Sequence, residues 1–286
     1  MPSRRLSPLL GLLLILALVV TLFPVFWIVM TALKPPTDWN AVPAVWIPAK
    51  PTLVNFRTLF DPEAIREYGV GGVSQSASAA VFGSLLASTV STALSILIGL
   101  LAAIGLSRYS SGSTATPLII LSGRMFPPAA IAVPFVIIFS AAHIIDTYSG
   151  LIAIYVAATV PFSTWMLKSF VDDLPREIEE AAMVDGQSRL MAHLTVTMPL
   201  IRGGLFATTL FIFILNWSDF MFALVLSYGR IATIPVQLAK YVTATAGTLY
   251  GVQAALAVLA MIPLVLAGFA IQSHLARGMT FGAIKR

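Results

Sequence analysis

DDLPREIEEAAMVDGQSRLMAHLTVTMPLIR, residues 172–202, is a polar interruption between two apolar blocks, and the reading of the whole chain turns on it. Pro175 followed by Glu177, Glu179 and Glu180 marks a helix start, because an early proline and early acids both suit a helix N-terminus. Ala181, Ala182 and Met183 continue that helix, and Gly186 can end it in a turn that other residues resist. A second short helix carries Leu190, Met191, Leu194 and Val196 and runs up to Pro199. Two short helices about a glycine turn predict a compact knob. Its small alanines suit insertion into a groove on a partner.

The surroundings of this segment are apolar. Of the 286 residues, 58% are hydrophobic and only 10% charged, and the mean hydropathy is +0.92. A soluble domain carries about 25% charged residues because its surface must face water. Here the apolar residues fall into blocks at 9–33, 77–106, 117–142, 149–170, 204–226 and 253–275, each at or above the roughly 20 residues that cross a bilayer. The expected fold is therefore an all-α integral membrane protein with six transmembrane helices. The first block is too long for the apolar core of a signal peptide and has no small-residue cleavage site after it, so it reads as an uncleaved span with a kink at Pro24. Pro127, Pro128 and Pro134 interrupt the third block and Pro161 the fourth, as hinges or as kinks held by packing. Residues 34–75, with Pro35, Pro36, Pro43, Pro48 and Pro51 and with Trp39 and Trp46, form an outer loop that predicts short interfacial helices.

Charge sets the expected orientation. With residues 1–8 inside, the cytoplasmic segments hold Arg4, Arg5, Arg108, Lys168, Arg176, Arg189, Arg202, Arg277, Lys285 and Arg286. The outer segments hold only Lys34, Lys50, Arg57, Arg66, Arg230 and Lys240. The positive-inside rule then places both termini, the loop at 172–202 and the tail at 276–286 in the cytoplasm, around a permease domain at 9–275. The net charge of +5 has the same explanation and calls for no nucleic acid. The chain has no cysteine, and His143, His193 and His274 are scattered, which argues against a metal site or a thiol nucleophile.

Within the loop, Glu180-Ala181-Ala182, then Asp185-Gly186, then Pro199 thirteen residues beyond the glycine, resembles the EAA loop of ABC-importer permeases. Asn216-Trp217-Ser218-Asp219-Phe220 resembles an element common in carbohydrate permeases. Gly278-Met279-Thr280, with Gly282, Ala283 and Lys285, is similar to the tail of the maltose-type second permease subunit, and Phe126-Pro127-Pro128 with Val133-Pro134 to its third span. Two departures stand out: Gln187 replaces the usual alanine and His193 the usual phenylalanine.

The resemblance implies a type I ABC-importer permease fold with a cytoplasmic coupling helix, in a bacterial cytoplasmic (inner) membrane. It implies a second permease subunit, two ATP-binding subunits and an extracytoplasmic solute-binding protein. ATP and Mg would then sit on the ATPase partners, with no cofactor in this chain and a sugar as the substrate. Glu180, Ala181, Ala182, Asp185, Gly186 and Pro199 would couple to the ATPase, and Gly278, Thr280 and Lys285 would make a C-terminal contact with it. No phosphate-binding G-x-x-x-x-G-K-[ST] loop is present, so the chain is not itself the ATPase.

Two charges fall inside expected spans, Arg124 in the third and Asp219 in the fifth. Such charges are costly unless they face the bundle interior, which makes them candidates for the pathway or gate, with Asn216 beside Asp219. Asp219 could instead make a packing hydrogen bond, and Arg124 could snorkel to the headgroups. Their depths differ by about 12 Å at 1.5 Å per residue, which argues against a direct pair. Within the family a polyol or glycerol-phosphate-type solute is the alternative substrate class. An ion-coupled secondary transporter would leave the loop unexplained and normally shows internal repeats. An intramembrane enzyme would lack catalytic groups.

Overall fold

Helix α1 (Pro8–Ala32) consists almost wholly of apolar side chains, and of all its residues only Ala32 is buried within the chain. An apolar surface of that length left uncovered fits lipid or a neighbouring subunit and is untenable in water. The computed structural model describes residues 8–68, 76–109, 115–122, 127–243 and 247–282. These form two compact units, Met1–Ser78 with Gln237–Ile262 and Ala79–Val236 with Pro263–Arg286.

In the first unit, α1 ends in a polar seat supplied by α2 (Val54–Phe60). The fully buried Asn55 donates to the carbonyls of Ala32 (2.8 Å) and Lys34 (2.7 Å), and the Thr52 amide donates to that of Leu33 (2.9 Å). These bonds satisfy carbonyls that a helix end otherwise leaves unpaired. The ammonium of Lys34 lies 4.0 Å over the Trp27 ring, a cation–π contact that offsets its burial. Short helical turns at Pro36–Asp38 and Ala64–Tyr68 complete the segment expected to hold interfacial helices.

In the second unit, α3 (Ser78–Arg108), α6 (Tyr148–Asp172) and α10 (Arg202–Trp217) meet through small and hydroxyl residues. The buried face of α3 includes Ala80, Ser84, Ala87, Ser88, Ser91, Thr92, Ser95 and Gly99, at helical spacing. Small residues let helix backbones approach closely, and hydroxyls then bond across the seam. Ser95 and Thr159 are 2.8 Å apart, Ser163 donates to the Ser95 carbonyl (2.7 Å), and Asn216 donates to Thr92 (3.2 Å). At one end, α5 (Pro128–Ala141) and α11 (Met221–Leu226) pack on α6 through Phe139, Leu151, Tyr155, Phe222 and Leu226.

Among the described residues, α1, α3, α6 and the Tyr250–Phe269 part of α13 (Tyr250–Gly282) are each long and apolar enough to cross a membrane. The expected third span comprises α4 (Thr116–Ser122) and α5, while Arg124 and Phe126 lie outside the described residues. Pro128 opens α5 and Pro127 precedes it, where a missing N–H costs nothing. The expected fifth span is broken: α10 ends at Trp217 and α11 begins at Met221, with Ser218, Asp219 and Phe220 between. α13 stays helical to Gly282, beyond the expected boundary at 275. Two-residue strands, Val242–Thr243 and Gly247–Thr248, pair antiparallel between α12 (Ile234–Lys240) and α13.

Candidate functional site

The loop between α6 and α10 folds much as its residues dictate. α7 (Arg176–Val184) follows Pro175 and carries Glu177 and Glu179 in its first turn. Asp185 closes it and Gly186 takes φ +91°. The Gly186 amide donates to the Met183 carbonyl and the Gln187 amide to that of Ala182, both at 3.1 Å. This pair of bonds is the Schellman helix ending, which requires a left-handed residue at the position Gly186 occupies. Ser188 then caps α8 (Arg189–Ala192) by accepting from the Met191 amide (3.3 Å). A π turn, His193–Thr197, leads into α9 (Met198–Leu200). Pro199 lies within α9, one residue before the helical run Arg189–Leu200 ends. The run Arg189–Leu200 meets α10 at a 77° bend.

The predicted residues divide by where they face. Glu180, Ala181, Asp185, Gly186 and Pro199 are exposed, and beside them lie Val184 (86% exposed) and Leu190 (67%). The surface is thus acidic and apolar together. Ala182 is buried within the chain. Asn216 is buried against Thr92. Asp219 accepts from the amides of Phe222 (3.1 Å) and Ala223 (3.2 Å), capping α11, and the buried Tyr155 hydroxyl donates to it. Gly278 and Thr280 lie in the last turns of α13, and Lys285 lies outside the described residues.

Sequence reasoning missed the support behind this surface. Glu179, one residue before the recognised triplet, is buried and accepts from Arg108 Nε at both oxygens (3.0 Å each). Arg108 Nη2 also donates to the Leu174 carbonyl (3.1 Å), and the Thr197 hydroxyl donates to Glu179 Oε1 (2.7 Å). Tyr109 and His193 are joined at 3.0 Å, and Arg176 donates to the Ser107 carbonyl (2.8 Å). A cleft of 160 Å³ opens here, lined by these side chains with Glu180, Met183, Arg189 and Ala192. The available sequence signal is an arginine ending a long apolar helix, which the sequence alone marks only as a topology charge. Among the described residues no group of three or more histidines and acids could hold a metal.

This is the type I ABC-importer permease fold. A solved chain described as a bacterial ABC transporter involved in the import of the acidic polysaccharide alginate matches over 96% of this chain and 99% of its own, with a TM-score of 0.72 and 18% identity. The chain belongs to the family of binding-protein-dependent transport system inner membrane components, whose model matches residues 95–281. It is a permease subunit and thus a non-catalytic membrane component of its transporter. It is 32% identical to a probable ABC transporter permease protein, y4oR, of Sinorhizobium fredii, covering 93% of this chain and 91% of that one. It is 32% identical to the sulfoquinovosyl glycerol transport system permease protein SmoH of Agrobacterium fabrum (92% and 89% covered). It is 31% identical to the trehalose/maltose transport system permease protein MalG of Thermococcus litoralis (95% and 94%).

Proposed function

We propose that this subunit forms half of the pathway of an importer for a sugar or sugar-headed solute, with a related permease forming the other half. Of two ATP-binding subunits, carrying ATP and Mg, one docks on the loop at 172–202, and an extracytoplasmic binding protein delivers the substrate. Both termini and the loop lie in the cytoplasm, and the C-terminal segment with Gly278, Thr280 and Lys285 makes a second contact with the ATPase pair.

The observation that carries this reading is the loop itself. Its acidic and apolar residues project from a Schellman turn while its inner face is occupied by an ion pair within the chain. A surface with uncovered Val184 and Leu190 beside Glu180 and Asp185 suits a protein groove with apolar walls and a basic rim. The sugar class rests on relatives named for trehalose/maltose and sulfoquinovosyl glycerol transport.

The test is uptake into proteoliposomes holding the complete complex and its binding protein. The panel is radiolabelled maltose, trehalose, diacetylchitobiose, sulfoquinovosyl glycerol and glycerol 3-phosphate. ATP-dependent uptake of one of the glycosides is expected. Uptake driven by a proton or sodium gradient without ATP overturns the mechanism, and uptake of glycerol 3-phosphate alone overturns the sugar class.

A further inference from the structure

A loop joined to the membrane helices only at its two chain ends can still swing about the line between those ends. In this protein the ends are Leu174, after α6, and Ile201, before α10. Ile201 is seated in an apolar cluster with Leu100, Ala103, Leu167 and Val171. A third attachment removes the swing, and the described structure supplies one at the end of α3.

Three consecutive residues there hold the loop. The Ser107 carbonyl accepts from Arg176, Arg108 grips Glu179 and the Leu174 carbonyl, and Tyr109 meets His193. The Arg108–Glu179 pair is the centre of this set, its side chains only 7% and 8% exposed. Burial makes the pair close to all-or-none, because removing one partner strands the other charge away from water. The π turn bears on the same point. It aims the fully buried Thr197 at the Glu179 oxygen, so both arms of the loop, α7 and the return strand of helix, converge on one carboxylate. α3 has 31 residues, about 46 Å at 1.5 Å per residue. A push on the loop is therefore received by a long lever, bonded in turn to α6 and α10 through Ser95, Thr92 and their partners.

Building on the proposed docking of ATP-binding subunits, we infer that Arg108 and Glu179 are positioning residues of energy coupling. They fasten the docking loop to the end of α3, so that the loop and that end of α3 move as one body. Glu180 and Asp185 face the partner, whereas Glu179 acts only through holding them in place. Loss of the pair leaves docking and ATP hydrolysis but lets the loop swing without driving the helices.

The experiment compares sugar molecules imported per ATP hydrolysed, in proteoliposomes of the full complex, using whichever panel sugar the wild-type complex transports. Arg108→Gln and Glu179→Gln are each expected to lower that yield about tenfold, within the usual range of coupling effects. Recovery of the assembled complex and its ATPase rate are expected to stay near wild type in both, which a merely structural role would not allow. Wild-type yield in both single variants, or ATPase activity lost together with transport, overturns the inference. A second measurement leaves the pair intact, and the absence of native cysteine makes it clean. Tyr109→Cys and His193→Cys are bridged by a short reducible bis-thiosulfonate linker. Transport that persists after bridging supports one-body motion, and transport lost on bridging and regained on reduction overturns it. If the wild-type complex shows no ATP-driven uptake, the functional reading fails. If it transports while the single variants stay coupled, only this inference fails.

Discussion

Replacing Gly186 separates backbone geometry from side-chain volume at the docking loop. A Cβ built on Gly186 meets nothing within 4 Å, so alanine there has room and suffers only from the φ of +91°. That strain costs about 1–2 kcal/mol for alanine and less for asparagine, whose side chain tolerates the left-handed region. Proline is different in kind, because its ring holds φ near −65° and it has no N–H to donate. The 3.1 Å bond to Met183 is lost outright. The altered chain direction also breaks the Gln187–Ala182 bond and the Ser188 cap. At about 1 kcal/mol for each such bond or cap, the local loss is about 3 kcal/mol before backbone strain is added. Proline also disfavours the helical conformation of the residue before it, Asp185, at φ −73° and ψ 8°. All these losses fall in the loop and none in the spans. In reconstituted complexes, Gly186→Asn should transport nearly as wild type, Gly186→Ala somewhat less, and Gly186→Pro should insert normally yet abolish substrate-stimulated ATPase activity and uptake. Wild-type uptake by the proline variant would refute the argument. Equal damage from alanine and proline would show that a partner contact, and not the turn, decides the phenotype.

Gly99→Ala should loosen the seam between α3 and α6, since its Cβ would lie 2.1 Å from the Ser163 hydroxyl and 3.0 Å from the Ser163 carbonyl carbon. A loss of about 1–3 kcal/mol is expected in detergent unfolding, against neutrality or a gain of up to about 1 kcal/mol for Gly105→Ala, which meets nothing. Asp146 joins the turn after α5 to the segment after α11, accepting from the amides of Tyr228 (3.0 Å), Arg230 (3.0 Å) and Ile231 (3.3 Å). Partial burial raises its carboxyl pKa, but the amides of Arg230, Tyr228, Ile231 and Gly229 outweigh that and hold it below the ordinary aspartate value. Its stabilisation is therefore present above the unfolded aspartate pKa and lost as pH falls through the folded one. Asp146→Asn should lower the melting temperature at neutral pH and flatten its decline toward acid, and an unchanged acid profile would contradict this. Asp219→Asn can keep the two capping bonds and should melt as wild type, whereas Asp219→Ala should lose about 1 kcal/mol. Single cysteines at Arg57 and Gln187 should label from opposite faces of the membrane, and labelling from one face would contradict the proposed orientation.

What the chain reveals without its structure is what depends on local composition. The membrane class and the positions of α1, α3 and α6 follow from how much apolar surface a stretch of about 20 residues carries. Each observed helix starts and stops within two residues of its apolar block. The turn at Gly186 was equally legible, because the demand for a left-handed residue is met by glycine whatever lies around it. Contacts between distant residues were not legible. Arg108 and Glu179 are 71 residues apart, and nothing in either neighbourhood says that one ends a helix directly above the other. Ala182 reads as a docking methyl, but it is buried within the chain. Asp219 looked like a charge stranded in a span, but a break between α10 and α11 makes it a helix cap. In each case hydropathy marks what leaves water, while the pairing of polar groups is chosen by which helix faces meet, and only the packed tertiary structure decides that.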